Sequence, residues 1–153
     1  FRFEVIMYEH GLLTPVIALA AWSLIMLIWL YATRIPAMSQ AKIKPGDIKP
    51  GADLPKLPPW ASNVADNYNH LMEQPTIFYA VCLALQMLGQ TWEINITLAW
   101  VYVGLRVVHS LLQATLNIII IRFSIFIISS IVLGMLIFHA LLGVGLMPFP
   151  FHH

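Results

Sequence analysis

Charge is what this chain has least of. Of its 153 residues, 10% are Asp, Glu, Lys or Arg, while 59% are hydrophobic. Soluble domains carry about 25% charged and roughly 45–50% apolar residues. So few ionic groups cannot coat a water-facing surface, which excludes a soluble globular domain. A disordered chain is excluded as well, because it needs low hydrophobicity and high charge. The formal net charge is only +1, so no basic surface offers itself to nucleic acid, and no nucleic-acid partner is expected. Cysteine is nearly missing too. Cys82 alone excludes an intrachain disulfide framework and any multi-cysteine zinc or iron–sulfur site. No Gly-rich loop follows a strand pattern, so nucleotide binding has no support. Internal repeats and low-complexity tracts are also absent.

What the chain has in abundance is long apolar runs, with a mean hydropathy of +0.80. A bilayer crossing needs about 20 such residues. Four spans are expected, at about 11–33, 63–90, 94–116 and 120–146, so that residues 1–153 form one membrane domain with no room for a separate soluble one. The first span is too long, and too poorly followed by small residues, for a cleaved signal peptide. Phe1 in place of Met suggests a trimmed start. Ser62 or Asn63 is the expected N-cap of the second span, and Pro75 should kink it. Residues 34–62 are expected to form an irregular loop, broken by Pro36, Pro45, Pro50, Pro55, Pro58 and Pro59. Arg34, Lys42, Lys44, Lys49 and Lys56 outnumber Asp47 and Asp53 there, and the positive-inside rule puts the loop in the cytoplasm with both termini opposite. Trp60 and Trp92 fall where interfacial aromatics belong.

Ionisable side chains inside hydrocarbon are costly unless paired. Asp66, Asn69, His70 and Glu73 fall on one face of the second span, and Arg106, His109, Ser110, Gln113 and Asn117 form a stripe on the third. Arg122, Ser124, Ser129, Ser130 and His139 lie on the fourth. Both stripes are expected to face the bundle interior, since lipid cannot satisfy them. Glu73 and Arg106 are the expected ion pair, and Glu73→Ala should then impair folding more than any loop substitution by stranding Arg106. The plainer alternative is that these groups only hold helices together. His70, Glu73 and His109 lack the Glu-x-x-His spacing of di-metal sites, and no metal is expected. Cys82, with no charged neighbour at helical spacing, reads as inert packing.

Two segments carry a resemblance. They are NVADNYNHLMEQPTIFYAVCLAL (Asn63–Leu85) and YVGLRVVHSLLQATLNIIIIRFSIF (Tyr102–Phe126). With four spans and a cytoplasmic first loop, they resemble the MAPEG family (membrane-associated proteins in eicosanoid and glutathione metabolism), and more closely its bacterial MAPEG-like members. The resemblance implies an all-α integral membrane four-helix bundle, trimeric, in a bacterial inner membrane, with glutathione as the possible cofactor between protomers. Residue by residue, Glu73 matches the Glu of the family's second-span motif and His70 takes its Asn position. Arg106 and His109 match the third-span Arg and His, and Gln113 stands where a Tyr is frequent. These five are the implied cofactor-binding residues, and Arg122 matches the Arg that stabilises the glutathione thiolate. Asp66 and Asn69 stand where family members place carboxylate-binding arginines.

Two functions compete on these residues. The leading expectation is a non-catalytic or degenerate member that binds a lipid-like ligand or serves as an accessory subunit of a membrane complex. The alternative is a glutathione-dependent transferase or peroxidase acting on hydrophobic, membrane-borne electrophiles. An ion or proton channel is a distant third, because no ring of like charge is visible. Expected partners are membrane lipids and either two further copies of the chain or a larger complex.

Overall fold

The computed structural model describes residues 2–42 and 57–146. Among them the chain is helical throughout: α1 (Arg2–Glu9), α2 (Leu13–Gln40), α3 (Pro59–Leu71), α4 (Gln74–Met87), α5 (Glu93–Ala114) and α6 (Ile119–Gly143). Three of these, α2, α5 and α6, are long and apolar enough to cross a membrane. At 1.5 Å per residue the 28 residues of α2 extend about 42 Å, more than the hydrocarbon thickness. Helix is what such a sequence must form there, even where Ile and Val favour strands, because lipid offers nothing to an unpaired backbone N–H or C=O.

The boundaries differ from the sequence reading at three places. First, α2 continues past Thr33 and through Pro36 to Gln40. Proline removes one bond within a helix, but the turns on either side hold. Ala37 is buried, and the Ala41 N–H donates to the Ala37 carbonyl at 3.0 Å. Second, the helix expected to start at Ser62 or Asn63 starts at Pro59, with Pro58 as its N-cap in extended geometry. A proline at the first helical position gives up an N–H that had no partner anyway. The Pro58–Pro59 pair therefore starts a helix instead of extending the loop. The rest of the Pro-rich stretch, residues 43–56 with Lys44, Asp47, Lys49, Asp53 and Lys56, lies outside the described residues.

Third, the second span is broken rather than kinked. α3 ends at Leu71 and α4 begins at Gln74, with Pro75 in its first turn. Pro75 has no N–H for the Leu71 carbonyl, and a proline pushes the preceding residues out of helical geometry. Glu73, at φ −90° and ψ −95°, takes up the turn. At 13 and 14 residues neither half is long enough to cross hydrocarbon alone.

α5 is the most buried helix and the hub. It packs most extensively on α6, and also on α3 and α2. Its inward face carries Ile96, Ala99, Tyr102 and Val103, with Tyr102 stacked on Phe78 of α4 at a centroid distance of 4.4 Å. Large apolar side chains such as Ile17, Ile28, Ile120 and Ile131 point outward from α2 and α6, as expected where the solvent is lipid. The protein is an integral membrane protein, all-helical among the described residues. At the α4–α5 end, the Leu12 N–H donates to Gln86 Oε1 at 2.9 Å, and His139 of α6 donates to Asn95 Oδ1 of α5.

Candidate functional site

The helix break and the polar stripe of α5 meet at one cavity of about 270 Å³. α3 supplies His70, the break supplies Glu73, and α4 supplies Gln74. Arg106, His109 and Gln113 come from successive turns of α5. The fourth wall is one face of α6, where Arg122 stands among Ile119, Phe123 and Phe126. All six residues singled out from the sequence, His70, Glu73, Arg106, His109, Gln113 and Arg122, therefore line the same space.

Their bonding differs from expectation. Arg106, only 1% exposed, forms no ion pair with Glu73. Its Nη2 donates to the His70 carbonyl at 3.4 Å, while Nε and Nη1 have no partner among the described residues. Glu73, its side chain 68% exposed, instead accepts from Nδ1 of His70 at 3.2 Å. The break explains both facts. It turns Glu73 outward at the α3–α4 junction and leaves the tightened C-terminus of α3, with its His70 carbonyl, to Arg106.

The stripe on the second span faces outward as well. Asp66, Asn69, His70 and Glu73 are exposed, and Asn67 is the buried polar residue of α3. Asp66 and Asn69 are not in the cavity wall. On α5 the expectation of an inward stripe agrees with the structure, since Arg106, His109, Ser110 and Gln113 are all buried.

Arg122 is held in place from the tight α5–α6 turn. Asn117 has a positive φ of 50°, a conformation that Asn adopts more readily than most residues. Its amide Oδ1 accepts from Arg122 Nη1, and its Nδ2 donates to Asn63 Oδ1 at 3.2 Å. One side chain thus ties the start of α6 to α3 and orients the cation. Gln74 plays a similar part opposite. It donates to Ser130 Oγ of α6 at 2.8 Å and accepts from the Tyr102 hydroxyl of α5 at 3.2 Å. Sequence reasoning missed Gln74, Ile119, Phe123 and Phe126. The available signal was the 0, 3, 4, 7 spacing of Ile119, Arg122, Phe123 and Phe126, which puts the three apolar residues on the face of the Arg.

Chemically, two guanidiniums and two imidazoles surround the space with one carboxylate at its edge, and one wall is apolar. Among the described residues no three His, Cys, Asp or Glu side chains stand together as a metal site would need.

The profile of the MAPEG family matches residues 12–142, from the turn before α2 to the last turn of α6. The chain belongs to the MAPEG family. Neither a curated protein nor a solved structure matches it. The family match spans every element that contributes to the cavity and leaves out only α1 and the last residues.

Proposed function

We propose that this MAPEG protein binds an anionic amphiphile in its intramembrane cavity. The negatively charged head would meet Arg106 and Arg122, and the apolar part would lie along Ile119, Phe123 and Phe126. The observation that carries the proposal is Arg106, buried in the cavity wall with two nitrogens unpartnered among the described residues. A charge taken from water without compensation is expensive, and a bound anion supplies the compensation. Ile119 and Phe123 are largely exposed at the cavity's α6 wall, which favours entry from the bilayer.

In this proposal α3 and α4 cross together as one broken span, completing a four-helix bundle. Discontinuous helices are common where backbone lines a cavity in a membrane. The exposed polar face of Asp66, Asn69, His70 and Glu73 cannot remain against lipid. It supports assembly as a trimer, or docking as a subunit of a larger membrane complex. A bacterial inner membrane with the connection between α2 and α3 cytoplasmic completes the proposal.

A second reading is favoured by Arg122, whose guanidinium overlooks the same space. Glutathione-dependent transfer requires the thiol to ionise, and a nearby guanidinium favours the thiolate by charge and hydrogen bonding. The remaining residues fit the tripeptide only in part. With Arg122 on the thiolate, Arg106 is the single guanidinium left in the cavity for two carboxylates, Glu73 opposes both, and Gln113 replaces a hydroxyl donor. The fit is better for one anionic group with an apolar tail.

Oleate and glutathione separate the two readings when titrated against the protein in lipid nanodiscs. Saturable oleate binding is expected, weakened about 10- to 100-fold by Arg106→Gln, the range a charged hydrogen bond of about 1.5–3 kcal/mol implies. Glutathione binding with a rise in thiolate absorbance, lost in Arg122→Ala, would establish the transferase reading instead.

A further inference from the structure

The family match begins at residue 12, so α1 stands outside what the family accounts for. A tight turn joins it to α2. Gly11 has a φ of +61°, the Gly11 N–H donates to the Tyr8 carbonyl at 3.3 Å and the Leu13 N–H to the His10 carbonyl at 3.3 Å. The left-handed backbone favours glycine, and a Cβ there would lie 2.6 Å from Gln86 Oε1. Beyond the turn two hydrogen bonds hold α1 along α5. The Tyr8 hydroxyl pairs with Thr97 Oγ1 at 2.8 Å, and Trp100 Nε1 donates to the Met7 carbonyl at 3.0 Å.

These contacts place the end of α1. Gly11 sits beside Gln86 and Thr91, before α5 begins at Glu93. Tyr8 reaches Thr97 and Met7 reaches Trp100. The last turn of α1 therefore lies beside the first two turns of α5. Three apolar side chains of α1 are exposed: Phe3 70%, Val5 56% and Ile6 53%. Exposed apolar side chains stand on its two neighbouring helices as well, Ile94 and Val101 on α5 and Leu13 and Ile17 on α2. Half-exposed Trp92 marks this end of the bundle, where an aromatic belt belongs.

We infer that α1 is an interfacial membrane helix, folded at Gly11 into the leaflet at the α4–α5 turn, with Phe3, Val5 and Ile6 seated at the boundary of headgroups and acyl chains. The described residues of α1 extend about 12 Å. Helices of this kind lie about 5–10 Å deep, which matches a segment hydrogen-bonded to the first two turns of a crossing helix. Lipid is the occupant its position selects, because the helices it rests on, α2 and α5, are long and apolar enough to cross the membrane.

The test is depth-dependent fluorescence quenching of the full chain in phosphatidylcholine/phosphatidylglycerol vesicles. Bimane is attached at Phe3→Cys, Ile6→Cys or Glu9→Cys. Cys82 is buried and can be left in place if Cys82→Ala does not fold. Quenching at positions 3 and 6 by lipid labelled at acyl carbon 5 should exceed that by carbon 12 about twofold, given the expected depth. Glu9→Cys, next to the turn, should be quenched by aqueous iodide and little by either lipid. Iodide quenching at positions 3 and 6 equal to that at 9 would overturn the inference by placing α1 in water. Strongest quenching from carbon 12 would overturn it by placing α1 in the bilayer centre. Silence to all quenchers would do so by showing protein, a second copy or another partner, over this face.

Discussion

A guanidinium at 1% exposure with two unpartnered nitrogens does little for the stability of the ligand-free fold. Replacing buried ionic groups by apolar side chains of similar volume is often neutral or stabilising, and a charge without a counter-charge has still less Coulombic gain to lose. Arg106→Met is therefore expected to hold or raise the thermal unfolding temperature of the ligand-free protein while abolishing amphiphile binding. A clear loss of stability would mean that Arg106 serves the fold. Glu73 carries the opposite expectation from the one its sequence position suggested. Its side chain is mostly exposed and, among the described residues, its carboxylate is bonded only to His70, so Glu73→Ala should cost less than about 1 kcal/mol in a denaturation measurement. At this scale the sequence revealed the charged members of the site, since a lone Arg or His among apolar residues stands out. Phe123, Phe126 and Ile119 were invisible for the converse reason, being apolar side chains on an apolar helix. The missing Arg106–Glu73 bond depends on a local backbone turn that residue spacing does not encode.

The elements that shape the cavity are the α3–α4 break and the α5–α6 turn. Pro75 causes the first. Pro75→Ala restores an N–H to reach the Leu71 carbonyl, and is expected to extend helix across Met72 and Glu73. Spin-label distances between α3 and α4 should then lengthen toward those of one straight helix, and oleate affinity should fall as the His70 carbonyl leaves Arg106. Unchanged distances would show that packing, not Pro75, sets the break. At the second element, Asn117 combines a left-handed backbone with two side-chain bonds. Asn117→Gly keeps the conformation and loses the bonds, whereas Asn117→Ala loses both. Both variants should weaken binding through Arg122, and the Ala variant should unfold at lower temperature, by about 1 kcal/mol relative to Gly. The break was only half legible. Pro75 announced an irregularity, but whether a proline kinks, breaks or starts a helix depends on which flanking turns are packed, as Pro36 within α2 and Pro59 at the head of α3 show.

For the whole molecule, composition was enough to identify a membrane protein, because 10% charge leaves few alternatives. Family membership followed from two motif segments. What the sequence could not convey was which polar face turns inward. The acidic face of α3 and the basic face of α5 have the same helical periodicity, yet the first is exposed and the second buried. α1 escaped notice because eight residues are too few to show a membrane period. The central claim, an anionic amphiphile held by Arg106 with its tail along α6, is tested most directly by photo-crosslinking. A fatty acid bearing a diazirine in its chain would be irradiated with the protein in nanodiscs and the adducts mapped by mass spectrometry. Adducts concentrated at Ile119, Phe123 and Phe126, suppressed by excess oleate and lost in Arg106→Gln, are the predicted result. Adducts spread evenly over the outer faces of α2 and α6, and indifferent to Arg106→Gln, would contradict it.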